Sequence, residues 1–447
     1  MKQLCLALAL ACILTTFAGC ASSQETPEAT RSPTEETTPL HSSAPPERTF
    51  PSAPIATAPL PDNAIPLDDT RPDVTLPSVW IAHCEQQTYL WNLPYGSILT
   101  AIPRGAKMQL LAWDSKHAKV IYDGSTGYVL TSQIVPEDTS FLAEALKTVQ
   151  YAHFYSYDKM LEDLQSFQTQ YPDIVEVETI GASVLGKEIP VMRIGDPDAA
   201  HHILLQGSMH GREYANTWLL MAMADYWLGS NYREYPDMCI HIIPMVNPDG
   251  VAISQTGVLN DEQTAIYYTD MMYGFTDQDP PQHYALRWKA NGQGVDINRN
   301  FPSGWARANE LRVPSSENYR GPEPFSTPEA AALRDYTLRY PLDATLSYHT
   351  RGSVIYWFYG SNAKVNAQSL SLGLAVETVT KYPLMYNVLA IGAGYKDWAM
   401  DALGIPSLTV EVGCGEAPFS PIECYSAFLR HYKVLPTVAQ WVRQQQS

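Results

Sequence analysis

The 447-residue sequence predicts an α/β chain, with a mixed sheet flanked by helices over residues 150–445 and a small β-barrel before it over residues 75–137. Three observations carry this. Strand-like runs at His202-Ile203-Leu204-Leu205, Ile240-His241-Ile242-Ile243, Ala344-Thr345-Leu346-Ser347 and Leu408-Thr409-Val410 alternate with apolar stretches of helical length, such as the one through Trp218, Leu219, Leu220, Met221 and Met223. Between 75 and 137 the β-type runs are shorter and broken by turn signals at close spacing. Hydrophobic residues make up 45% of the chain, enough for a large core. The formal net charge of −18 would repel a polyanion, which excludes nucleic acid as a partner.

In chain order, residues 1–20 have the make-up of a secretory signal: Lys2 supplies the positive end, followed by Leu4, Leu6, Leu8, Leu10, Ile13 and Leu14. The stretch is too short to span a bilayer comfortably. It ends in Phe17-Ala18-Gly19-Cys20, which resembles the bacterial lipoprotein processing box, although Phe17 stands where that pattern usually has Leu. The resemblance implies lipidation at Cys20, a membrane partner reached through that anchor, and a location facing the cell wall; a plain secretory signal is the alternative. With Cys5 and Cys12 removed in the signal and Cys20 lipidated, Cys84, Cys239, Cys414 and Cys424 remain, of which Cys414 and Cys424 are the one candidate disulfide.

Residues 21–74 are dominated by Ser, Thr, Pro, Ala and Glu and read as a disordered tether. Next come Tyr89-Leu90-Trp91, Ile98-Leu99, Met108-Gln109-Leu110-Leu111 and Ala118-Lys119-Val120-Ile121-Tyr122, with turns at Pro103-Arg104-Gly105 and Asp123-Gly124 and a closing Gly127-Tyr128-Val129. This unit resembles the bacterial Src-homology-3-like domain, which implies wall binding; the alternative is a structural spacer. From residue 150 onward a hairpin is predicted around Gly186-Lys187, followed by the alternating strands and helices named above. In such sheets the reactive crevice lies beyond the carboxyl ends of the strands.

The chemistry begins directly after one of those strands. Gly207-Ser208-Met209-His210-Gly211-Arg212-Glu213 sets an imidazole and a carboxylate three positions apart where a loop enters a helix, so both side chains share one face. An isolated pair of this kind is usually a solvated helix start. A third donor, His349, ends a separate strand in Leu346-Ser347-Tyr348-His349-Thr350. Two imidazoles and one carboxylate suit Zn²⁺ with an open position, where a bound water becomes acidic enough to supply hydroxide near neutral pH.

Several further blocks agree with these donors: Asn247-Pro248-Asp249-Gly250, Gly294-Val295-Asp296-Ile297-Asn298-Arg299-Asn300-Phe301, Tyr319-Arg320-Gly321-Pro322 with Pro328-Glu329, and Thr409-Val410-Glu411-Val412-Gly413. Together they make residues 152–445 resemble the zinc carboxypeptidases of the carboxypeptidase A family. The resemblance implies one Zn²⁺ per chain on His210, Glu213 and His349, with Glu411 as general base. It implies that Asn298 and Arg299 hold a substrate carboxylate, for which a planar guanidinium is well shaped. Two departures stand out. Lys289, in Arg287-Trp288-Lys289, is the nearest match to the arginine that steadies the developing oxyanion, and the mobile tyrosine of the family is either Tyr386 or Tyr395.

Gly394-Tyr395-Lys396-Asp397-Trp398 falls where the family shapes its side-chain pocket. Lys396 there would meet an acidic group on the substrate, or else pair with a neighbouring acid. With Trp288-Lys289-Ala290-Asn291 and Val354-Ile355-Tyr356-Trp357, this block is similar to the branch that cuts between γ-D-glutamate and a diamino acid in peptidoglycan. The implied substrate is a peptidoglycan stem peptide. Two alternatives remain: a general exopeptidase trimming C-terminal residues, and a wall-binding protein that is catalytically silent.

Overall fold

The computed structural model describes residues 80–445 except 114–116, 138–139, 151–153, 277–278, 309–310, 387–391, 414–416, 418 and 420. The stretches read as a secretory signal and a tether, with Cys20, and Cys414 of the candidate cysteine pair lie outside the described residues. Among the described helices none is long and apolar enough to cross a membrane.

The first unit is a seven-stranded antiparallel sheet. Its strands are β1 (Trp80–Cys84), β2 (Thr88–Trp91), β3 (Ile98–Ile102), β4 (Lys107–Trp113), β5 (His117–Tyr122), β6 (Ser125–Leu130) and β7 (Ile134–Pro136), in the order β3-β2-β6-β5-β4-β1-β7. In β1, Trp80, Ala82 and Cys84 are buried and the residues between them half-buried, the alternation of a strand with one face on a core. The tightest hairpin joins β5 to β6, where Tyr122 pairs with Ser125 across Asp123-Gly124. Both turn residues take positive φ, 49° and 75°, the backbone that a two-residue turn with the right-handed strand twist requires.

The second unit carries an eight-stranded mixed sheet: β8 (Val175–Ala182), β9 (Glu188–Ile194), β10 (His201–Gln206), β11 (Met238–Ile243), β12 (Leu342–His349), β13 (Val354–Tyr356), β14 (Leu384–Met385) and β15 (Ser407–Glu411). The order is β14-β13-β15-β12-β10-β11-β9-β8. The four central strands β15, β12, β10 and β11 run parallel, while β9 and β13 join them antiparallel. Every residue of β10 and β11 is buried, which is why their apolar residues stand side by side, as in Ile203-Leu204-Leu205 and Ile242-Ile243, rather than alternating.

Each face of this sheet has its own core. Ile203 and Leu205 of β10 face one, with Trp218, Leu219 and Met223 of the helix Ala215–Ser230 and Val434, Val438 and Val442 of the helix Val434–Gln444. Leu204 faces the other, with Ile243, Ile297, Phe301, Tyr336, Tyr395 and Trp398. The helix Ala215–Ser230 is buried nearly all round, as expected of a helix lying between a sheet and further helices. The first core continues without a break into Trp80, Leu90 and Val129 of the small sheet, and β7 lies against the helix Pro421–His431. The small sheet therefore packs against the helical layer on this face of the large one.

What the parallel centre accomplishes for function is alignment. Gln206 pairs with Ser347 and His349 pairs with Glu411, so the carboxyl ends of β10, β12 and β15 reach the same rim.

Candidate active site

His210, Glu213 and His349 converge at that rim with ligand atoms all within 4.8 Å of one another, and all three are buried. His210 Nδ1 lies 2.8 Å from Glu213 Oε1, His349 Nδ1 lies 3.0 Å from Glu213 Oε2, and the two Nδ1 atoms are 3.1 Å apart. Two imidazole nitrogens facing each other and the same carboxylate form a set whose lone pairs a divalent cation would satisfy together. The donors are nitrogen and oxygen, a set that suits Zn²⁺. Glu411 stands beside His349 across the β12–β15 ladder, and Val412 N–H donates to His349 O at 2.7 Å.

The turn carrying two of these donors is fixed by backbone contact. His210 precedes a short 3₁₀ turn, Gly211–Glu213. Gly211 N–H donates to Lys289 O at 3.0 Å and Arg212 N–H to Trp288 O at 2.8 Å, which ties the turn to the segment bearing Lys289. A Cβ on Gly211 would lie 2.3 Å from Gly250 O, so only glycine fits there. Asn247 completes the stitching: its Nδ2 donates to Met209 O and Ala290 O at 3.2 and 2.9 Å, and its Oδ1 accepts from Gly250 N–H at 2.9 Å.

Asp296, quoted in a motif but given no role by sequence reasoning, lies behind His210. Its Oδ1 is 3.2 Å from His210 Nε2, and its Oδ2 is 3.2 Å from Lys289 Nζ. A carboxylate on the second nitrogen of a metal-binding imidazole fixes the ring and its tautomer. The signal that could have found it is an aspartate on an apolar stretch two residues before Asn298. Asn298 is itself oriented: its Oδ1 accepts from Tyr395 N–H at 3.1 Å, which turns its Nδ2 toward His349 Nε2 at 3.3 Å. Arg299 follows, with Nη1 donating to Asn298 O at 3.0 Å.

The electrostatics sort the two glutamates. Burial resists the ionisation of Glu213, but the adjacent His210 and His349 hold its carboxyl well below the usual range. Burial pushes Glu411 up to about 7; Glu213 adds to this, whereas His349, Lys289 and Arg299 oppose it. One carboxylate is thus kept ionised and the other is poised near neutrality, the condition of an effective general base. Burial likewise works against the charge on Asp296, yet Lys289 and His210 keep it well below the ordinary value.

Two expected pocket residues are turned elsewhere. Tyr395 is fully buried, its hydroxyl 3.0 Å from Thr337 Oγ1 and its ring edge-on to Phe301 and Trp398, so it belongs to the core beneath the sheet. Lys396 Nζ donates to Asp397 Oδ1 at 2.6 Å and to Phe358 O at 3.0 Å. Its charge is spent within the protein, the second of the two roles read from the sequence. Tyr386 is 56% exposed, stacked on Trp357 and in contact with Phe358 at the edge of the sheet, next to residues 387–391 outside the described set.

A second trio, His202, Cys239 and His241, also brings donor atoms together, on the adjacent strands β10 and β11. Its nitrogens serve one another: His202 Nδ1 is 2.9 Å from His241 Nε2, and His241 Nδ1 is 2.7 Å from the Tyr336 hydroxyl. Burial, with help from His202 and Arg193, pushes His241 down to about 3, so this is a neutral hydrogen-bonded relay inside the sheet.

Against known proteins, a family model described as zinc carboxypeptidase matches residues 160–440. The gamma-D-glutamyl-L-diamino acid endopeptidase 1 of Lysinibacillus sphaericus is 31% identical over 277 residues, covering 59% of this chain and 67% of that protein. Carboxypeptidase B of Astacus astacus is 26% identical over 283 residues, 58% of this chain and 86% of that protein. Among solved structures, carboxypeptidase A of Helicoverpa armigera shares the fold with a TM-score of 0.53 at 20% identity, covering 74% of this chain and 91% of that one.

Proposed function

The chain belongs to the zinc carboxypeptidase family and is a zinc metallopeptidase, and from that premise we propose that it hydrolyses the γ-D-glutamyl-diaminopimelate bond of cell-wall peptide with Glu411 as general base. The observation that carries the chemistry is the meeting of His210, Glu213 and His349 beside Glu411. These three residues would hold the Zn²⁺, which when bound acidifies a water and polarises the scissile carbonyl. Glu411 takes the proton of the attacking water on its carboxylate and passes it to the departing nitrogen. Lys289, tethered to Asp296 at 3.2 Å, presents a point charge toward the oxygen that becomes negative.

Asn298 and Arg299 sit beside His349 and would grip the carboxylate of the amine half of the substrate. Of the two candidate tyrosines, the exposed Tyr386 is free to reach a bound peptide, whereas Tyr395 is locked in the core. The choice of bond rests on likeness to the Lysinibacillus enzyme, whose name states that it acts on γ-D-glutamyl-L-diamino acid linkages. The likeness to carboxypeptidase B supports the second reading, removal of C-terminal residues from ordinary peptides. The zinc-loaded protein, given a γ-D-glutamyl-diaminopimelate peptide and a hippuryl-type peptide, separates the two by mass spectrometry. Cleavage of the hippuryl peptide alone overturns the first reading.

Export and lipidation at Cys20 belong to the same proposal, since they would place the enzyme at its substrate. Replacement of Cys20 by Ala should release the protein from the membrane fraction of the producing cells; an unchanged distribution refutes the anchor. The seven-stranded unit is proposed to bind wall material, for which retention of the whole chain by insoluble peptidoglycan is the test.

A further inference from the structure

His210, Glu213 and His349 meet at the carboxyl ends of the central strands, whereas His202, Cys239 and His241 lie toward the amino ends of β10 and β11. His202 precedes Gln206 by four residues, which puts roughly 13 Å of strand between this trio and the catalytic rim. His202 pairs with Cys239 across the ladder, and Cys239 and His241 are two positions apart on β11, so all three side chains leave the same face of the sheet.

Their donor atoms, two imidazole nitrogens and one sulfur, all lie within 4.8 Å of one another, and all three residues are buried. The inner nitrogens, His202 Nδ1 and His241 Nε2, are 2.9 Å apart and share one proton between two neutral rings. Each ring is held from outside the trio. The Tyr336 hydroxyl sits 2.7 Å from His241 Nδ1, and the backbone at Ala199 hydrogen-bonds to the His202 ring. Outer partners that fix the rings, with inner nitrogens turned toward one another and a thiol, form the pattern that orients imidazoles on a metal. A cation bonded at about 2.0 Å to each nitrogen would hold the two roughly 3.5 Å apart, so the rings need to part by only about 0.6 Å.

Charge and softness select the ion. One thiolate and two neutral imidazoles bring a single negative charge, and among the described residues no fourth histidine, cysteine or carboxylate joins the group. Zn²⁺ would leave a net positive charge inside the sheet and lack its fourth ligand. Arg193, opposite His241 on β9, would add to that cost, and its partners Glu176 and Glu178 belong to the neighbouring strand β8. Cu⁺ would leave no net charge, and its softness matches the sulfur.

We propose that His202, Cys239 and His241 bind one Cu⁺, which ties β10 to β11 on the amino side of the sheet. Binding forms one bond to Cys239 Sγ, one to His202 Nδ1 and one to His241 Nε2. The thiol proton goes to solvent, and the proton between the rings shifts to the outer nitrogen of the ring that carries it. No electron is transferred. Burial pushes the Cys239 thiol up to about 12, so the sulfur keeps its proton until the cation displaces it. This site is independent of the bond that the catalytic cluster cuts.

The test titrates the zinc-loaded full chain with Cu⁺, kept reduced under nitrogen, in competition with a chromophoric Cu⁺ chelator. One Cu⁺ per chain should be retained, with zinc still at one per chain and the peptidase rate unchanged. X-ray absorption at the copper edge should show one sulfur and two nitrogen ligands. Cys239→Ser should lose the stoichiometric Cu⁺ while keeping zinc and activity, and Tyr336→Phe, which removes an outer partner, should weaken Cu⁺ binding by roughly 10- to 100-fold. Failure to retain Cu⁺ overturns the site, as does Cu⁺ that enters only by displacing zinc. A copper spectrum with no sulfur or with two sulfurs also overturns it, and this reading needs only the wild-type protein, whatever the folding of the variants. Unchanged Cu⁺ binding in Cys239→Ser is equally decisive against it.

Discussion

Replacement of Lys396 by Met separates a structural role from a recognition role. In the protein its ammonium donates to Asp397 Oδ1 at 2.6 Å and to Phe358 O at 3.0 Å, and the side chains of Lys396 and Asp397 are only 9% and 11% exposed. Removing one partner of a buried ion pair strands the other charge, at a cost of about 3–5 kcal/mol. The slight exposure of Asp397 argues for the lower end, about 3 kcal/mol, which for a catalytic domain of this size lowers Tm by roughly 5 °C. Replacing both members, Lys396→Met with Asp397→Leu, removes the stranded charge and should recover most of the loss, because a buried pair contributes little net stability over apolar residues of similar volume. Thermal unfolding of the two single variants and the double variant measures the coupling directly. Substrate preference, assayed with peptides carrying diaminopimelate or lysine after the scissile bond, should stay within about twofold of wild type throughout. A Lys396→Met protein of unchanged Tm that loses a tenfold preference for diaminopimelate would refute the structural reading.

Three other outcomes follow from the geometry. His241 is held neutral in the fold, near 3, whereas an unfolded imidazole titrates near 6.5. Its contribution is therefore complete above pH 6.5 and is lost as pH falls toward 3, at about 1.4 kcal/mol per pH unit and no more than about 5 kcal/mol in all; urea unfolding between pH 6.5 and 4.5 should show a flatter dependence in His241→Asn than in wild type, and equal slopes would contradict it. Gly211→Ala would drive a Cβ against Gly250 O, 2.3 Å away, and should cost about 1–3 kcal/mol while displacing Glu213, seen as weaker zinc retention against a chelator. Asp296→Asn should weaken zinc binding by roughly 10- to 100-fold in the same titration, since it removes the carboxylate from behind His210; unaltered affinity would exclude the positioning role.

The parts of the fold and site that could be read in advance were those with a local signature. Continuous apolar runs marked β10 and β11 because parallel strands are buried on both faces, and Asp123-Gly124 marked the β5–β6 turn because its backbone needs positive φ. His210, Glu213 and His349 were legible because metal chemistry restricts the residue types. The roles of Tyr395 and Lys396 stayed open between two readings for the opposite reason. Both residues open a helix whose first six residues are all buried, and sequence order does not reveal which side of that helix faces the crevice. Asp296 went unnoticed because its role depends on segments far apart in the chain: it is 86 positions from His210. The same limit applies to Lys289, whose tie to Asp296 becomes apparent only when residues 288–290 are seen lying against the Gly211 turn.

The most direct test of the site is the turnover of Glu411→Gln at full zinc occupancy on a peptide the wild-type protein cleaves. The substitution keeps the shape of the residue and leaves His210, Glu213 and His349 in place, so zinc should remain at one per chain while kcat falls by roughly 10²–10⁴-fold. A zinc-loaded Glu411→Gln protein that turns over at close to the wild-type rate would contradict the assignment of the base, and with it the account of this cluster as a hydrolytic centre.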